Sequence, residues 1–226
     1  MTKGEVRQRL TSIGVVPVIR ASSAQKALMA ADALYKGGIA VLEITLTVPG
    51  AEKAIESLRK NFGGDVLVGA GTVLDMDDAK RCLDAGAQFI VSPGFDAGTV
   101  DFARSREILM IAGALTPTEI VTAWKSGSDL VKVFPCSAVG GASYIKALKG
   151  PLPQIPLIPT GGVNLQTAAD FVRAGSEALG IGGELVPASA LDAGTPDVIT
   201  ALAKQFLEIV QTARRSRVSA SAVTGG

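Results

Sequence analysis

Four times along this chain a helical pattern ends in glycine and an apolar strand begins two or three residues later. The junctions are Leu34-Tyr35-Lys36-Gly37-Gly38, Leu83-Asp84-Ala85-Gly86, Trp124-Lys125-Ser126-Gly127 and Val172-Arg173-Ala174-Gly175. They recur every 40 to 50 residues, a span that holds two strand-helix units, so they stand before the second, fourth, sixth and eighth strands. A doubly wound sheet also alternates strand and helix, but its halves do not ordinarily repeat with this regularity. The spacing predicts an α/β fold in the form of an eight-stranded parallel βα (TIM) barrel.

A pass along the chain fills in the count. An amphipathic stretch at 3–13 predicts an extra N-terminal helix, and apolar strands follow at 15–20, 40–46, 66–70, 89–91, 108–111, 130–134, 156–159 and 178–181. Helices are expected between them, including one at 165–174, with a last helix at about 196–214. Residues 1–214 are expected to form a single domain, and 215–226, rich in Ser, Ala and Gly, a disordered tail.

Composition removes several classes of function. With 22 basic against 21 acidic side chains and no basic stripe, nothing in the charge argues for nucleic acid or an anionic membrane as a partner. No apolar run approaches the roughly 18 residues of a membrane span, and no signal-like stretch opens the chain, so a cytoplasmic protein is expected. There is no histidine, which rules out Ser/His and Cys/His dyads and zinc sites of the usual make-up. The two cysteines, Cys82 and Cys136, are far apart and are expected to be buried and reduced. Polar chemistry falls to Lys, Glu, Asp and Arg.

Lys132 is the first candidate. It sits in Asp129-Leu130-Val131-Lys132-Val133-Phe134-Pro135, where period-2 alternation leaves no polar face for an ammonium. Burial disfavours the charged form and so favours a nucleophilic amine, suited to Schiff-base chemistry with a carbonyl substrate. The alternatives are a lysine snorkelling from a strand end or a structural ion pair. Glu43 is the second candidate. It lies five residues after Gly38, as Lys132 lies five after Gly127, so the two occupy equivalent rungs of strands two and six, which face each other across such a barrel. A buried acid and amine at one level have a poor structural rationale, because a buried ion pair adds little net stability.

Glycine-rich strand ends collect at one face. Gly69-Ala70-Gly71-Thr72, Ser92-Pro93-Gly94, Thr160-Gly161-Gly162 and Gly180-Ile181-Gly182-Gly183 end strands three, four, seven and eight, at the carboxyl ends where barrels of this kind hold their sites. The last two loops are placed to hold a phosphate on free backbone N–H groups and a helix N-terminus. Asp75, Asp77 and Asp78 read as a helix start rather than a cation site, Trp124 as helix packing, and Arg214, Arg215 and Arg217 as a solvated helix end.

With these residues in view, the chain resembles the 2-keto-3-deoxy-6-phosphogluconate aldolase family, class I pyruvate aldolases that also act on 4-hydroxy-2-oxoglutarate. The resemblance covers about residues 5–212. It rests on Val16-Pro17-Val18-Ile19, Glu43-Ile44-Thr45-Leu46, Gly69-Ala70-Gly71-Thr72-Val73, Ser92-Pro93-Gly94, Lys132-Val133-Phe134-Pro135 and Pro159-Thr160-Gly161-Gly162-Val163. It implies Lys132 as the Schiff-base lysine and Glu43 as the proton shuttle. It further implies Thr72, Pro93, Phe134 and Thr160 around the pyruvate portion, Gly161, Gly162, Gly182 and Gly183 at the phosphate, no metal or other cofactor, and a homotrimer.

Two positions depart from the family pattern. Thr47 stands where an arginine would contact the substrate carboxylate, and Glu184 follows Gly183 where a serine would approach the phosphate. Arg20 is expected to replace the missing arginine: it ends strand one beside strand two, and its planar fork suits a carboxylate. Because of these departures, two alternatives accompany the aldolase reading. One is a related lyase for another 2-keto acid, such as 2-keto-3-deoxy-6-phosphogalactonate, and the other a non-catalytic barrel that binds sugar phosphates. The lysine inside a strand argues against the latter, which has no need of an amine there.

Overall fold

A computed structural model describes residues 1–224, with side chains described through Arg217. The elements run α1 (Lys3–Ile13), β1 (Val15–Ile19), α2 (Ala24–Lys36), β2 (Val41–Thr45), α3 (Ala51–Phe62), β3 (Leu67–Gly71), α4 (Met76–Asp84), β4 (Phe89–Val91) and α5 (Ala97–Ser105). They continue with β5 (Leu109–Ala114), α6 (Pro117–Ser126), β6 (Leu130–Val133), α7 (Ala142–Lys149), β7 (Leu157–Pro159), α8 (Ala168–Arg173), β8 (Leu179–Ile181), α9 (Ala188–Asp192) and α10 (Pro196–Thr224). All eight strands are parallel, in the order β7-β6-β5-β4-β3-β2-β1-β8, and a single bridge between Thr160 and Gly180 joins the two ends. This is the expected TIM barrel.

The repeated glycines have a backbone reason. Gly38, Gly86, Gly127 and Gly175 all adopt left-handed angles, with φ of 95°, 97°, 105° and 100°. In each case the residue after the glycine donates its N–H to the carbonyl five positions back: Ile39 to Leu34, Ala87 to Cys82, Ser128 to Ala123 and Ser176 to Phe171. That hydrogen bond closes a helix and aims the chain into the next strand, and an L side chain at the glycine would be strained.

Two apolar layers form. Outward-facing strand residues pack under the helices, while Val16, Val41, Leu67, Phe89, Leu109 and Leu130 belong to a separate interior cluster. Val6 and Leu10 of α1 join that interior cluster, so α1 closes the barrel's N-terminal mouth. Polar side chains inside the barrel therefore lie above this plug, toward the carboxyl ends of the strands.

Several boundaries differ from expectation. β1 stops at Ile19, leaving Arg20 just beyond it, while β5 continues to Ala114. α8 is shorter than the expected 165–174, because Asn164 opens a turn whose Oδ1 accepts from the N–H groups of Gln166 and Thr167. A 3-10 turn at Cys136–Val139 and the short α9 were not foreseen. α10 carries helical backbone through Thr224, past the expected end at 214; the side chains of the anticipated tail beyond Arg217, and all of residues 225 and 226, lie outside the described residues.

Arg214 is not part of a solvated helix end. Its guanidinium donates to the carbonyls of Ser12 (2.8 Å), Thr11 (2.7 Å) and Glu177 (2.8 Å), tying α10 to the end of α1 and to the approach to β8. A Cβ on Gly14 would collide with that guanidinium. Charge-assisted bonds of this kind are worth roughly 1.5–3 kcal/mol, so Arg214→Ala should lower the melting temperature by about 4–8 °C. Turnover at 25 °C should be unchanged, since the clasp is at the N-terminal face; calorimetry alongside an activity assay checks both.

Candidate active site

Glu43 and Lys132 enter the barrel interior from opposite strands. β2 and β6 lie four strands apart in the ring, and each residue sits two positions above an interior apolar residue, Val41 and Leu130 respectively. Their residue exposures are 2% and 3%, so both are withdrawn from bulk water. Neither takes part in any ion pair among the described residues. Glu43 Oε1 is fully buried without a hydrogen-bond partner. Such an atom costs about 1–3 kcal/mol, a cost proteins rarely carry for structural reasons.

The carboxyl group is held in a specific space. Glu43 pairs in register with Gly69, and a Cβ on Gly71, two residues further along β3, would collide with the carboxylate. Burial raises the Glu43 carboxyl above its ordinary value, while the positive charges of Lys132 and Arg20 pull it back down. The result is an acid that feels the charge of the amine without being bonded to it. Lys132 Nζ lies 5.3 Å from the centroid of the Phe134 ring.

The other expected residues lie at or just beyond the carboxyl ends of the strands. Thr160, 5% exposed, directly follows β7, and its side chain occupies the room left by Gly180. Pro93 and Phe134 line one cavity of about 330 Å³ with Gly113, whose missing Cβ admits the Pro93 backbone. Thr72 takes the left-handed conformation, φ 58°, directly after β3, and lines a different groove together with Leu46 and Leu74.

The glycine loops after β7 and β8 leave donors free. The N–H groups of Gly162, Gly182 and Gly183 bond to no acceptor among the described residues. The expected helix contribution is missing, because the Asn164 turn stands between Gly162 and α8, and a turn closed by Leu185 and Val186 onto the Gly182 carbonyl separates Gly183 from α9. An anion there would meet backbone N–H groups rather than a helix end. Glu184 is exposed on that second turn.

Arg20 is exposed and bridges two expected places. It lines a cavity of about 330 Å³ together with Thr47, and its Nη1 is 3.1 Å from where a Gly182 Cβ would sit. The sequence reading missed the groups that hold these loops in place. Thr45 Oγ1 donates to the Ile19 carbonyl at 3.0 Å and contacts Thr47 Oγ1 at 2.7 Å, joining the ends of β1 and β2. Ser92 Oγ donates to the Gly94 carbonyl at 2.6 Å and accepts from the Gly113 N–H at 3.2 Å. A buried hydroxyl at a strand end is a signal for such a role, but its partners are invisible without the neighbouring strand.

The groups read as structural are so placed. Asp75 caps α4 by accepting from the Asp78 N–H, Asp78 pairs with Arg81, and Trp124 packs against the outer core. Among the described residues no cluster of His, Cys, Asp and Glu could hold a metal ion, and no helix is long and apolar enough to cross a membrane. Cys82 and Cys136 are buried and unbonded to each other, and burial pushes their thiols up to about 12 and about 11.

Comparison with known proteins gives the family. The sequence profile of the family described as "Aldolase: KDPG and KHG aldolase" matches residues 6–202. A 2-dehydro-3-deoxy-phosphogluconate aldolase of Treponema pallidum is 38% identical over 204 residues, covering 90% of this chain and 96% of the relative. A KHG/KDPG aldolase of Escherichia coli K12 is 39% identical over 200 residues, covering 88% and 93%. Among solved structures, the KDPG aldolase of Legionella pneumophila, in which pyruvate was captured as a covalent carbinolamine, superposes with a TM-score of 0.82 at 34% identity, covering 88% of this chain and 96% of that one. On sequence, fold and site together, the chain belongs to the KDPG and KHG aldolase family.

Proposed function

We propose that this enzyme cleaves 2-keto-3-deoxy-6-phosphogluconate to pyruvate and glyceraldehyde 3-phosphate through an imine on Lys132. The observation that carries the reading is the buried, unpartnered carboxyl oxygen of Glu43 on the strand opposite Lys132. The Lys132 amine attacks the C2 ketone, and loss of water gives a protonated imine. Glu43 takes the proton from the C4 hydroxyl; the C3–C4 bond breaks, its electron pair is taken up by the imine as an enamine, and the aldehyde leaves. Protonation of the enamine at C3 and hydrolysis of the imine release pyruvate and restore the amine. A carboxyl raised by burial suits this work, because it holds a returned proton more readily than an ordinary carboxylate does.

The remaining assignments belong to the same proposal. Thr72, Pro93, Phe134 and Thr160 surround the pyruvate portion, and the N–H groups of the Gly161-Gly162 and Gly182-Gly183 loops receive the phosphate. Arg20 holds the substrate carboxylate, a role supported by its place beside Thr47 and by its field at Glu43. A cytoplasmic homotrimer that needs no metal is supported by family membership. Cleavage of 4-hydroxy-2-oxoglutarate to pyruvate and glyoxylate breaks the same C3–C4 bond, with a carboxylate in place of the phosphorylated chain beyond C4.

Pyruvate release, coupled to lactate dehydrogenase, tests the proposal on three substrates: the phosphogluconate-derived acid, its phosphogalactonate epimer and 4-hydroxy-2-oxoglutarate. The first should exceed 4-hydroxy-2-oxoglutarate in kcat/KM by about tenfold or more, as expected when a charge-assisted contact is added, and should also exceed its epimer, which carries the same phosphate and differs only at C4. Failure of all three to yield pyruvate would overturn the aldolase reading, and preference for the epimer would reassign the substrate.

A further inference from the structure

We propose that Lys26 is a specificity-determining residue, a cation on the rim of the site that receives the distal phosphate of the substrate. This rests on the aldolase reading and extends it to a residue that neither the chemistry nor the glycine loops call for.

Lys26 lies in the first turn of α2, after the Ser23 cap. Its ammonium is 2.5 Å from Asp192 Oδ1 on α9 and 3.1 Å from Ser22 Oγ. It opens onto the cavity that also contains Arg20 and Thr47. Arg20, which lines this cavity, also places its Nη1 3.1 Å from where a Gly182 Cβ would sit, so it stands between Lys26 and the β8 loop where the free N–H groups lie. The cavity lining carries two cations, Arg20 and Lys26, against one acid, Asp192, and so favours an anion.

The partners of Lys26 suit exchange. Asp192 is 64% exposed, so its pair with Lys26 is screened by water and contributes little. A phosphate near its dianionic form offers a stronger acceptor, and a four-carbon stem lets the ammonium turn toward it. The β8 turn cannot supply that cation, because its own side chain there is the carboxylate of Glu184. With Arg20 assigned to the substrate carboxylate, Lys26 is the other cation in this cavity and the one left for the phosphate.

The test is Lys26→Met, which keeps the stem and removes the charge. KM for 2-keto-3-deoxy-6-phosphogluconate should rise about tenfold with kcat within twofold, while 4-hydroxy-2-oxoglutarate cleavage and pyruvate methyl-proton exchange, which involve no phosphate, stay within twofold. Lys26→Arg should restore KM, and Asp192→Asn should leave it unchanged or lower it. The proposal is overturned if KM for the phosphorylated acid does not move, if all three reactions fall together, or if Asp192→Asn reproduces the loss, since the last two mark a structural tie between α2 and α9. Calorimetric titration with inorganic phosphate separates the subsite from the substrate assignment. If the wild-type enzyme cleaves no phosphorylated acid yet loses phosphate affinity about tenfold on Lys26→Met, the substrate reading fails and the subsite stands; equal phosphate affinity in both proteins removes the subsite.

Discussion

Borohydride added in the presence of pyruvate should fix a reduced pyruvyl group on Lys132, and peptide mapping should find it there and on no other lysine. Only an imine is trapped in this way, and Lys132 is a lysine with 3% exposure inside a strand, facing a buried acid. The surface lysines have no such surroundings; Lys36 and Lys26 are each paired with an aspartate. Replacing Lys132 by Met removes the nucleophile, so turnover should fall on the order of 10⁴-fold or more. The fold should survive, because methionine matches the stem in volume and the variant no longer buries an unpaired amine. A melting temperature at or above wild type, together with lost activity, is the expected pair of results. Modification of another lysine with Lys132 untouched would end the Schiff-base assignment.

Glu43→Gln should still form the trapped adduct but lose proton transfer, lowering both cleavage and pyruvate proton exchange by about 10²- to 10⁴-fold. Turnover near wild type would show that another group moves the protons. The same variant carries a pH signature. Burial raises the Glu43 carboxyl above its ordinary value of 4.5, with Lys132 and Arg20 opposing, so the folded chain holds that proton more tightly than the unfolded chain. The stability this supplies is complete below the ordinary value and is lost as pH climbs through the raised one. Glutamine loses nothing over that window. The melting temperature of Glu43→Gln relative to wild type should therefore climb from about pH 4.5 upward and then level off. A constant difference across pH would contradict the buried, raised carboxyl.

The facing pair Glu43 and Lys132 was legible before any coordinates because it depends on periodicity. Gly38 and Gly127 set equivalent strand starts, and five residues later the same inward rung carries Glu43 in one strand and Lys132 in the other. Left-handed glycines and period-2 alternation are enforced by neighbours a few residues away, so they leave a readable trace in the chain. Arg20 was placed at the correct mouth for the same reason, although β1 ends one residue before it.

What the sequence by itself determined, then, was the alternation of strand and helix, the number of strands and which two polar residues share a level inside the barrel. The tertiary structure alone decided how much room each residue has. Gly71 admits the Glu43 carboxylate, Gly180 admits Thr160, and Gly113 admits the Pro93 backbone, each across a strand boundary that no local pattern describes. It also decided the long-range polar contacts, from Lys26 to Asp192, 166 positions away, to Arg214 and the carbonyls of Thr11 and Ser12 more than 200 positions earlier. Hydrogen bonds and ion pairs of that kind have no periodicity. They exist because closing the barrel brings β8 and its flanking helices back to β1, and that closure is a property of the whole ring of strands rather than of any segment in it.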